Sequence, residues 1–506
     1  MAAQKLFYHA GPSNPDPSRP KYMLAAAYTQ MLYGAETLAK VDSQAQQVFT
    51  SLDESMPFQV RYMGTVKTPE ESKRLVAATQ DIDCIGLAGW AHTFHPTGQS
   101  LTAFESLKVP FINVITSFDS TIPETINMDY MNLNQCPHGY QELSTGLVRS
   151  RIYQNPVAGN YTSDRFINKF EMYGRVAAAV NLLRYGRILT IGGKMEDVSG
   201  TDIAPEMMQR ALGPRIVGKE SGDLVKYMAN ISPEEVKKEA ERIEGRYNLA
   251  NDIKPGGARR DIFLDAVQQS LGVRQMVKNL ECIAWTSYFG NLGQLKQLQG
   301  FAAQDSMYDG MGFGAEGDVQ AAALVAALLT MGQGRPGASS FSEPYVFDFD
   351  RKGILYAHML ESNPALAPGK TTLEVQPLSI GGKGDPVRAV FDFAQSACIL
   401  TSLFNTPDLG MQLMTIPGRI IATPNLPDLR VAKGLVRPDA DLETAMECAA
   451  YAGMTHHPAI STAVPKEYVL AFANMKNLRH HVIDGNTDYW EFHDKMDEMS
   501  GRFNGN

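Results

Sequence analysis

The sequence has few cysteines, and their arrangement suggests neither cross-linking nor zinc binding. Only five cysteines occur in 506 residues, all far apart and none in a Cys-x-x-Cys pair. This spacing excludes a disulfide framework and a zinc ribbon. Cys282 and Cys398 lie in apolar runs, where a free cysteine usually acts as a small buried hydrophobic residue. Disulfides are therefore not expected to hold the fold together.

The sequence also lacks long apolar runs and concentrated charge. No run reaches the length of a membrane span, and the start, Met-Ala-Ala-Gln-Lys-Leu, has no apolar signal-peptide core. Lys and Arg are scattered and the net charge is -9, so we expect no nucleic-acid and no membrane partner. The 44% hydrophobic and 20% charged residues are typical of a globular protein. Together these features predict a cytoplasmic location.

Strand-like and helix-like segments alternate along most of the chain. Strands are predicted near residues 22–30, 60–63, 84–90 and 109–115, and helices near residues 35–49 and 167–185. This alternation is typical of a parallel sheet with helices on both faces. We therefore predict an α/β fold of three domains. The N-terminal and central domains have Rossmann-like parallel sheets, and the C-terminal domain is mixed α/β with more β.

The domain boundaries are predicted from two breaks in this alternation. A strand pattern restarts at Arg187 after the long helix, and the glycine-rich stretch 332–337 closes a second block. A chain of this length is too long for one ordinary core. We predict an N-terminal domain at residues 1–186, a central domain at 187–336 and a C-terminal domain at 337–506. Residues 1–20, rich in proline, are expected to form an irregular arm.

Two carboxylates and an imidazole follow one another in the stretch from residue 311 to 361. Glu316 lies in a glycine-rich turn before an apolar helix, Glu343 precedes a proline, and His358 ends a short apolar run. Mixed oxygen and nitrogen ligands suit a divalent cation such as Mn, Fe or Co. Each residue alone has an ordinary explanation, for example a helix-start carboxylate or a core histidine. The two glutamates could equally serve as the acid/base pair of a glycoside hydrolase.

Two pairs of adjacent histidines lie further along the chain. His456 and His457 follow a predicted helix, and either could supply the missing metal ligand. The other pair, His480 and His481, follows basic residues in a stretch expected to be exposed, and we assign it no role.

Six segments together resemble the L-arabinose isomerase family. They are Tyr28-Thr-Gln-Met-Leu-Tyr-Gly-Ala-Glu-Thr-Leu, Trp90-Ala-His-Thr-Phe, Met128-Asp-Tyr-Met-Asn-Leu-Asn-Gln, Gly312-Phe-Gly-Ala-Glu-Gly-Asp, His358-Met-Leu-Glu and Ile380-Gly-Gly-Lys. They occur in that family's order and at nearly its spacing. With His456-His457 they cover most of the chain.

The resemblance implies a set of site residues. It implies that Glu316, Glu343, His358 and His457 bind Mn²⁺, or another divalent cation such as Co²⁺, with one ion per subunit. It also implies that Glu316 and Glu343 are the catalytic proton-transfer groups. The residues that match the family's sugar pocket are Gln30, Leu32, Phe94, His138, Met195 and Phe289. A homo-oligomer, a trimer or hexamer with active sites between subunits, is implied as well.

The implied reaction is the interconversion of L-arabinose and L-ribulose through an enediol, with D-galactose and D-tagatose as a second pair. Two positions near the implied site depart from the family pattern, Met31 in place of a histidine and Val319 in place of a tryptophan. An isomerase of the same fold acting on a different aldose is therefore one alternative. A glycoside hydrolase using Glu316 and Glu343 is an alternative from another class, and it would require no metal.

Overall fold

The computed structural model describes residues 2–500, and contacts divide the chain into two compact units. The N-terminal unit extends to Asn181 but omits Pro12–Asn14, and the second unit contains Pro12–Asn14 and the chain from Leu182 onward. The predicted three-domain boundaries after residues 186 and 336 stay a prediction. Across residues 2–500, no helix is both long enough and apolar enough to cross a membrane.

A five-stranded parallel sheet forms the centre of the N-terminal unit, with the strand order β4-β3-β5-β6-β7. Its elements are, in chain order, β1 (Tyr8–His9), β2 (Asp16–Pro20), β3 (Tyr22–Tyr28), α1 (Ala35–Ser55), β4 (Gln59–Val66), α2 (Pro69–Ala78), β5 (Cys84–Ala91), α3 (Leu101–Phe104), β6 (Phe111–Ile115), α4 (Met128–Leu133), α5 (Cys136–Arg149), β7 (Asn155–Ala158) and the start of α6 (Asp164–Tyr185). Strands β3 and β5 are buried throughout, as expected for central strands covered on both faces.

Part of the segment expected to be an irregular arm forms regular structure. Strands β1 and β2 pair antiparallel, and Pro20 ends the second strand. Lys5 fixes the segment that precedes them, because its Nζ donates to the carbonyls of Met56 and Phe58, both at 3.1 Å. These contacts join residues far apart in the sequence, so local composition gives no sign of them.

The second unit begins with a four-stranded parallel sheet of order β12-β11-β8-β9 and continues with antiparallel strands. Its elements are β8 (Arg187–Ile191), α7 (Pro205–Ala211), β9 (Arg215–Lys219), α8 (Ser221–Ala229), α9 (Pro233–Arg246), β10 (Asn248–Leu249), α10 (Arg260–Asn279), β11 (Ala284–Ser287), α11 (Gly300–Tyr308), β12 (Gly312–Ala315), α12 (Val319–Met331), β13 (Ser339–Phe341), β14 (Glu343–Asp348), β15 (Gly353–His358), β16 (Thr372–Val375), β17 (Val387–Val390), β18 (Ser396–Thr406), β19 (Gly410–Ile421), β20 (Ala432–Pro438), α13 (Leu442–Ala452), β21 (Ala459–Ser461), α14 (Lys466–Lys476), β22 (Arg479–Val482) and α15 (Tyr489–Ser500).

Two further sheets complete this unit. An eight-stranded sheet runs in the order β13-β21-β18-β19-β20-β15-β14, with β22 added parallel to β19, and a small sheet has the order β10-β16-β17. The prediction of an α/β fold, with parallel sheets in the first two parts of the chain and more β in the last, is confirmed.

Helix α12 lies between the parallel sheet and the eight-stranded sheet. It contacts β8, β11 and β12 on one side and β13, β18 and β21 on the other. Its sequence is apolar on every face, and all its residues except Leu329 are buried. Such a helix is stable only when it is covered on all sides. The loop that leads into α12 is thereby held where the two sheets meet.

Candidate metal centre

Glu316 lies in a strained turn at the carboxyl end of β12. Its φ is +61°, a left-handed conformation that non-glycine residues rarely adopt and that is often found at functional sites. The next residue, Gly317, has φ +89°, and a Cβ there would lie 2.3 Å from Lys194 Cα. The Gly317 N–H donates to Thr286 Oγ1 at 2.9 Å, and the Met195 N–H donates to the Glu316 carbonyl at 2.9 Å. The turn is therefore fixed from both sides.

Asp318 links this turn to His457. Its Oδ1 caps α12 by accepting from the backbone N–H groups of Gln320 at 2.8 Å and Ala321 at 2.9 Å. Its Oδ2 lies 2.9 Å from His457 Nδ1, and both side chains are about 1% exposed. His457 lies between α13, which ends at the left-handed Gly453, and β21. One buried carboxylate thus positions both the helix and the imidazole.

A hairpin brings Glu343 and His358 together. Glu343 is the first residue of the edge strand β14 and pairs with Ala357 of β15, whose last residue is His358. Pro344 is tolerated next to Glu343 because an edge strand has one side without ladder hydrogen bonds. Glu343 Oε1 lies 3.2 Å from His358 Nε2 and 3.0 Å from His457 Nε2.

Four side chains have potential ligand atoms within 4.8 Å of one another, namely Glu316, Glu343, His456 and His457. Glu316 Oε2 is 3.7 Å from His457 Nε2. Although His457 Nε2 is close to Glu343 Oε1, it is buried without a directed hydrogen bond. A ring nitrogen that lies between the carboxylates of Glu316 and Glu343 can bind a shared cation once it has lost its proton. The carboxylate and imidazole set therefore fits a divalent transition metal.

The electrostatics of the group depend on its two imidazoles. Burial opposes the charge on His358, but Glu361 and Glu343 outweigh it and raise the pKa of His358 to about 10. Burial likewise opposes the charge on His457, but Asp318 and Glu343 raise its pKa to about 9. In return, burial opposes the charge on Glu343, but the two nearby histidines outweigh it and lower the pKa of Glu343. Burial raises the pKa of Glu316, where His457 only partly offsets it.

Three residues next to this group received no role from the sequence. Glu361 Oε2 contacts His358 Nδ1, as Asp318 contacts His457 Nδ1. With each Nδ1 engaged in this way, the Nε2 atoms of both rings are left facing Glu343. Phe341 packs edge-on against both rings, with centroid distances of 5.1 Å. Their spacing could have identified the two carboxylates from the sequence. Asp318 lies two positions after Glu316, and Glu361 lies three positions after His358.

A pocket of about 240 Å³ adjoins the group. It is lined by Ser287, Phe289, Leu298, Gln299, Ala315, Glu316, Glu343, Tyr345, His358, Met359, Leu360, Glu361, Leu378 and Ile380. Phe289 thus lies where a sugar-pocket residue was expected. Met195 is half-buried and is joined to Glu316 through its backbone. The roles of both residues stay a prediction.

The other four expected sugar-pocket residues lie in the N-terminal unit. Gln30 and Leu32 follow β3, Phe94 follows β5 and His138 lies in the first turn of α5. Leu32 is 89% exposed, His138 is exposed, and Gln30 and Phe94 are half-buried. These loops are held together inside the unit by two hydrogen bonds at 2.7 Å, Thr29 Oγ1 to Thr93 Oγ1 and Tyr33 Oη to Gln135 Oε1. Their roles also stay a prediction.

Replacing Asp318 by Asn is expected to weaken metal binding without unfolding α12. Asn keeps an Oδ1 that can cap the helix, but its amide nitrogen cannot accept from His457 Nδ1. Loss of such a carboxylate typically lowers metal affinity about 10- to 100-fold. Isothermal titration with Mn²⁺ would measure the change. Asp441→Asn is the control for loss of an acidic charge at an N-cap position, because the Asp441 side chain makes no cap hydrogen bond and does not contact His457. Equal affinities for the two variants would contradict the positioning role.

Comparisons with known proteins match most of the chain. Three family models match successive parts of the chain, the L-arabinose isomerase N-terminal domain at residues 20–184, the central domain at 187–334 and the C-terminal domain at 338–479. The L-arabinose isomerase of Flavobacterium johnsoniae is 35% identical over 484 residues, which is 94% of this chain and 96% of that protein. The L-arabinose isomerase of Herpetosiphon aurantiacus is 34% identical, over 92% of this chain and 95% of that protein.

A third relative gives a similar match, and a solved structure gives a weak one. The L-arabinose isomerase of Thermotoga neapolitana is 34% identical, over 92% of this chain and 94% of that protein. A periplasmic solute binding protein from Actinobacillus succinogenes, solved with bound D-allose, has a TM-score of 0.16 and 11% identity and covers 61% of this chain and 90% of its own. That likeness is too low to carry an argument about fold or ligand.

Proposed function

Because the chain belongs to the L-arabinose isomerase family and is an aldose–ketose isomerase, we propose that it interconverts L-arabinose and L-ribulose with a divalent cation. The observation that carries the proposal is the convergence of Glu316, Glu343 and His457 beside a pocket. We propose Glu316, Glu343, His358 and His457 as the ligands, with Mn²⁺ as the first choice. When bound, the cation would act as a Lewis acid toward the sugar oxygens.

We propose that the two glutamates divide the proton transfers. Glu343 Oε1 lies within 3.2 Å of the Nε2 atoms of His358 and His457, so Glu343 contacts the imidazoles more closely than Glu316 does. Glu316 is further from His457 and lines the pocket, and its raised pKa favours proton acceptance. We assign the C2 proton to Glu316, which returns it to C1. The O2 proton passes to O1 by way of Glu343, so the enediol becomes a ketone at C2 with a primary alcohol at C1.

His456 also belongs to the group and makes no hydrogen bond to any described residue. Its imidazole stacks obliquely on His457, with ring centroids 4.2 Å apart. It is therefore available either to the cation or to a sugar hydroxyl. Of the two adjacent histidines that the sequence left open as ligands, His457 is the more deeply buried, and we keep it as the ligand.

We further propose that the enzyme is a homo-oligomer, a trimer or hexamer with active sites between subunits. Exposed apolar side chains on both units support this proposal, including Leu32 and Met31 on one and Val346, Phe347 and Phe349 on or after β14 on the other. Contiguous exposed apolar residues next to a polar site typically mark an interface.

All five cysteines are free and buried, which supports a reducing, cytoplasmic location. The mass from sedimentation equilibrium would test the oligomer, and cell fractionation the location.

A panel of aldoses tests the proposed substrate. L-arabinose, D-galactose and L-fucose would each be incubated with the Mn²⁺-loaded enzyme, and ketose formation would be measured. We expect L-arabinose to have the highest kcat/KM and D-galactose to give D-tagatose more slowly. If another sugar had the highest kcat/KM, the proposed substrate would be wrong, but the proposed isomerisation chemistry would stand. No ketose from any sugar would reject the proposed function.

A further inference from the structure

Arg388 is a buried arginine that holds two separate stretches of backbone. It lies on β17 and is 4% exposed. Its Nη1 donates to the Met359 carbonyl at 2.7 Å, and its Nη2 donates to the Pro377 carbonyl at 2.8 Å. The planar guanidinium thereby fixes the separation of the two carbonyls, as a fork of donors with set geometry does.

Both of these stretches form walls of the pocket next to the metal group. Met359 immediately follows His358 and belongs to the turn that ends at Glu361. Pro377 is the second residue of the loop between β16 and β17, and two residues of that loop, Leu378 and Ile380, line the same pocket. Arg388 therefore connects the segment just after His358, a proposed ligand, with the loop that carries the apolar side chains of Leu378 and Ile380.

The charge of Arg388 is poorly compensated for so buried a group. Among the residues that the structure describes, no carboxylate lies within 4.0 Å of its guanidinium nitrogens. Glu374, its partner in the β16 ladder, is paired with Arg430 instead. The Nε of Arg388 is buried and has no hydrogen-bond partner. Burial lowers the pKa of Arg388, opposed in part by the charges of Glu361, Asp385 and Glu374.

A buried charge with an unsatisfied donor is costly, and a neutral side chain of similar volume would often stabilise the fold better. Stability alone is therefore a poor explanation for an arginine at this position. The two carbonyl contacts give the alternative explanation, because only a wide, planar donor reaches both of them at once.

We propose that Arg388 is a positioning residue that sets the spacing of two walls of the sugar pocket and thereby the preference among aldoses. This proposal rests on the proposed isomerase function. It assigns to Arg388 no contact with the sugar and no contact with the cation. Its effect is on which sugar fits, not on the proton transfer itself.

The test is Arg388→Lys, which keeps the charge but offers a single ammonium that cannot bridge both carbonyls with a planar fork. We expect KM for L-arabinose to rise about tenfold with kcat changed less than about twofold, as when a binding contact is lost. The ratio of kcat/KM for D-galactose to that for L-arabinose should change by about threefold or more. Mn²⁺ affinity should match that of the unmodified enzyme.

Arg430→Lys is the matched control, since Arg430 pairs with Glu374 on the same small sheet and does not line the pocket. It should leave both KM values and the sugar ratio unchanged. If Arg388→Lys behaves like this control, or if it lowers kcat and Mn²⁺ affinity together for every sugar, the positioning role is wrong. Should Arg388→Lys not fold, Arg388→Gln replaces it, because a neutral side chain avoids the cost of a buried charge.

Hydrogen exchange separates this proposal from the proposed function. In Arg388→Lys, amide exchange should rise at residues 359–361 and at residues 377–380 together, whether or not any sugar is turned over. No rise at either stretch would overturn the positioning role. Absence of isomerase activity in the unmodified enzyme, with the exchange effect present, would instead reject the proposed function.

Discussion

Replacing Glu316 by Gln is expected to lower kcat for L-arabinose by about 10³-fold, because an amide cannot accept the C2 proton and such transfers contribute about 10²- to 10⁴-fold. The substitution keeps the size of the side chain, so the strained turn that presents it should persist. Circular dichroism and thermal unfolding would show whether the fold is intact, and stopped assays of ketose formation would give kcat and KM.

Glu343→Gln should give a different pattern from Glu316→Gln. Glu343 Oε1 faces both imidazole Nε2 atoms, so its charge does more to hold the metal group together. We expect Glu343→Gln to reduce Mn²⁺ affinity more than Glu316→Gln does, in addition to lowering the rate. Glu443→Gln, at an exposed position of α13, is the control for charge removal. Near-normal kcat in Glu316→Gln at saturating Mn²⁺ would remove Glu316 from the proton transfer.

The sequence predicts the fold well where the local pattern is strong. Helix α6 (Asp164–Tyr185) agrees with the helix predicted near residues 167–185, and β5 (Cys84–Ala91) agrees with the strand predicted near residues 84–90. The alanine-rich sequence of β3 suits a helix as well as a strand. Its pairing with β4 and β5 is what makes it a strand. Such pairing joins distant residues and is invisible to a local pattern.

One local interpretation was wrong. His480 and His481 were expected in an exposed stretch, but they lie in β22, where His481 is 4% exposed. His481 Nε2 lies 2.8 Å from Gln412 Oε1, and His480 Nε2 lies 2.9 Å from Thr415 Oγ1, both on β19. Burial lowers the pKa of each to about 4, so both rings stay neutral. A four-residue strand is too short to show a reliable period.

Some residues of the candidate site could likewise be predicted from local sequence, whereas the contacts that position them could not. Glu316, Glu343 and His358 could be proposed from the sequence because each belongs to a recognisable turn or strand end. The connection of Asp318 to His457 could not, because it spans 139 positions and depends on how α12 is buried between two sheets. The same holds for Arg388, whose two carbonyl contacts lie just after β15 and in the loop between β16 and β17 and follow from no motif.

Removing the divalent cation by chelation should abolish ketose formation, and added Mn²⁺ should restore it. Without the cation, no Lewis acid would act on the sugar oxygens, and the proton transfers would lose that stabilisation. Activity before chelation, after chelation and after addition of Mn²⁺, Co²⁺ or Mg²⁺ would be measured on L-arabinose. Mock-dialysed enzyme is the control. Full activity after chelation, with residual metal measured as absent, would reject metal dependence.

The pKa values of the two histidines give this prediction a pH dependence of known sign. The neighbouring carboxylates raise the pKa to about 10 for His358 and about 9 for His457, both above the ordinary value of 6.5. Both rings therefore carry a proton at neutral pH, and each must lose it to bind the cation. Apparent Mn²⁺ affinity should rise as pH increases from 7 to 9, by up to about tenfold per pH unit for each proton released. Calorimetry in buffers of different ionisation enthalpy would count the protons, and a heat independent of the buffer would contradict the assignment of these histidines as ligands.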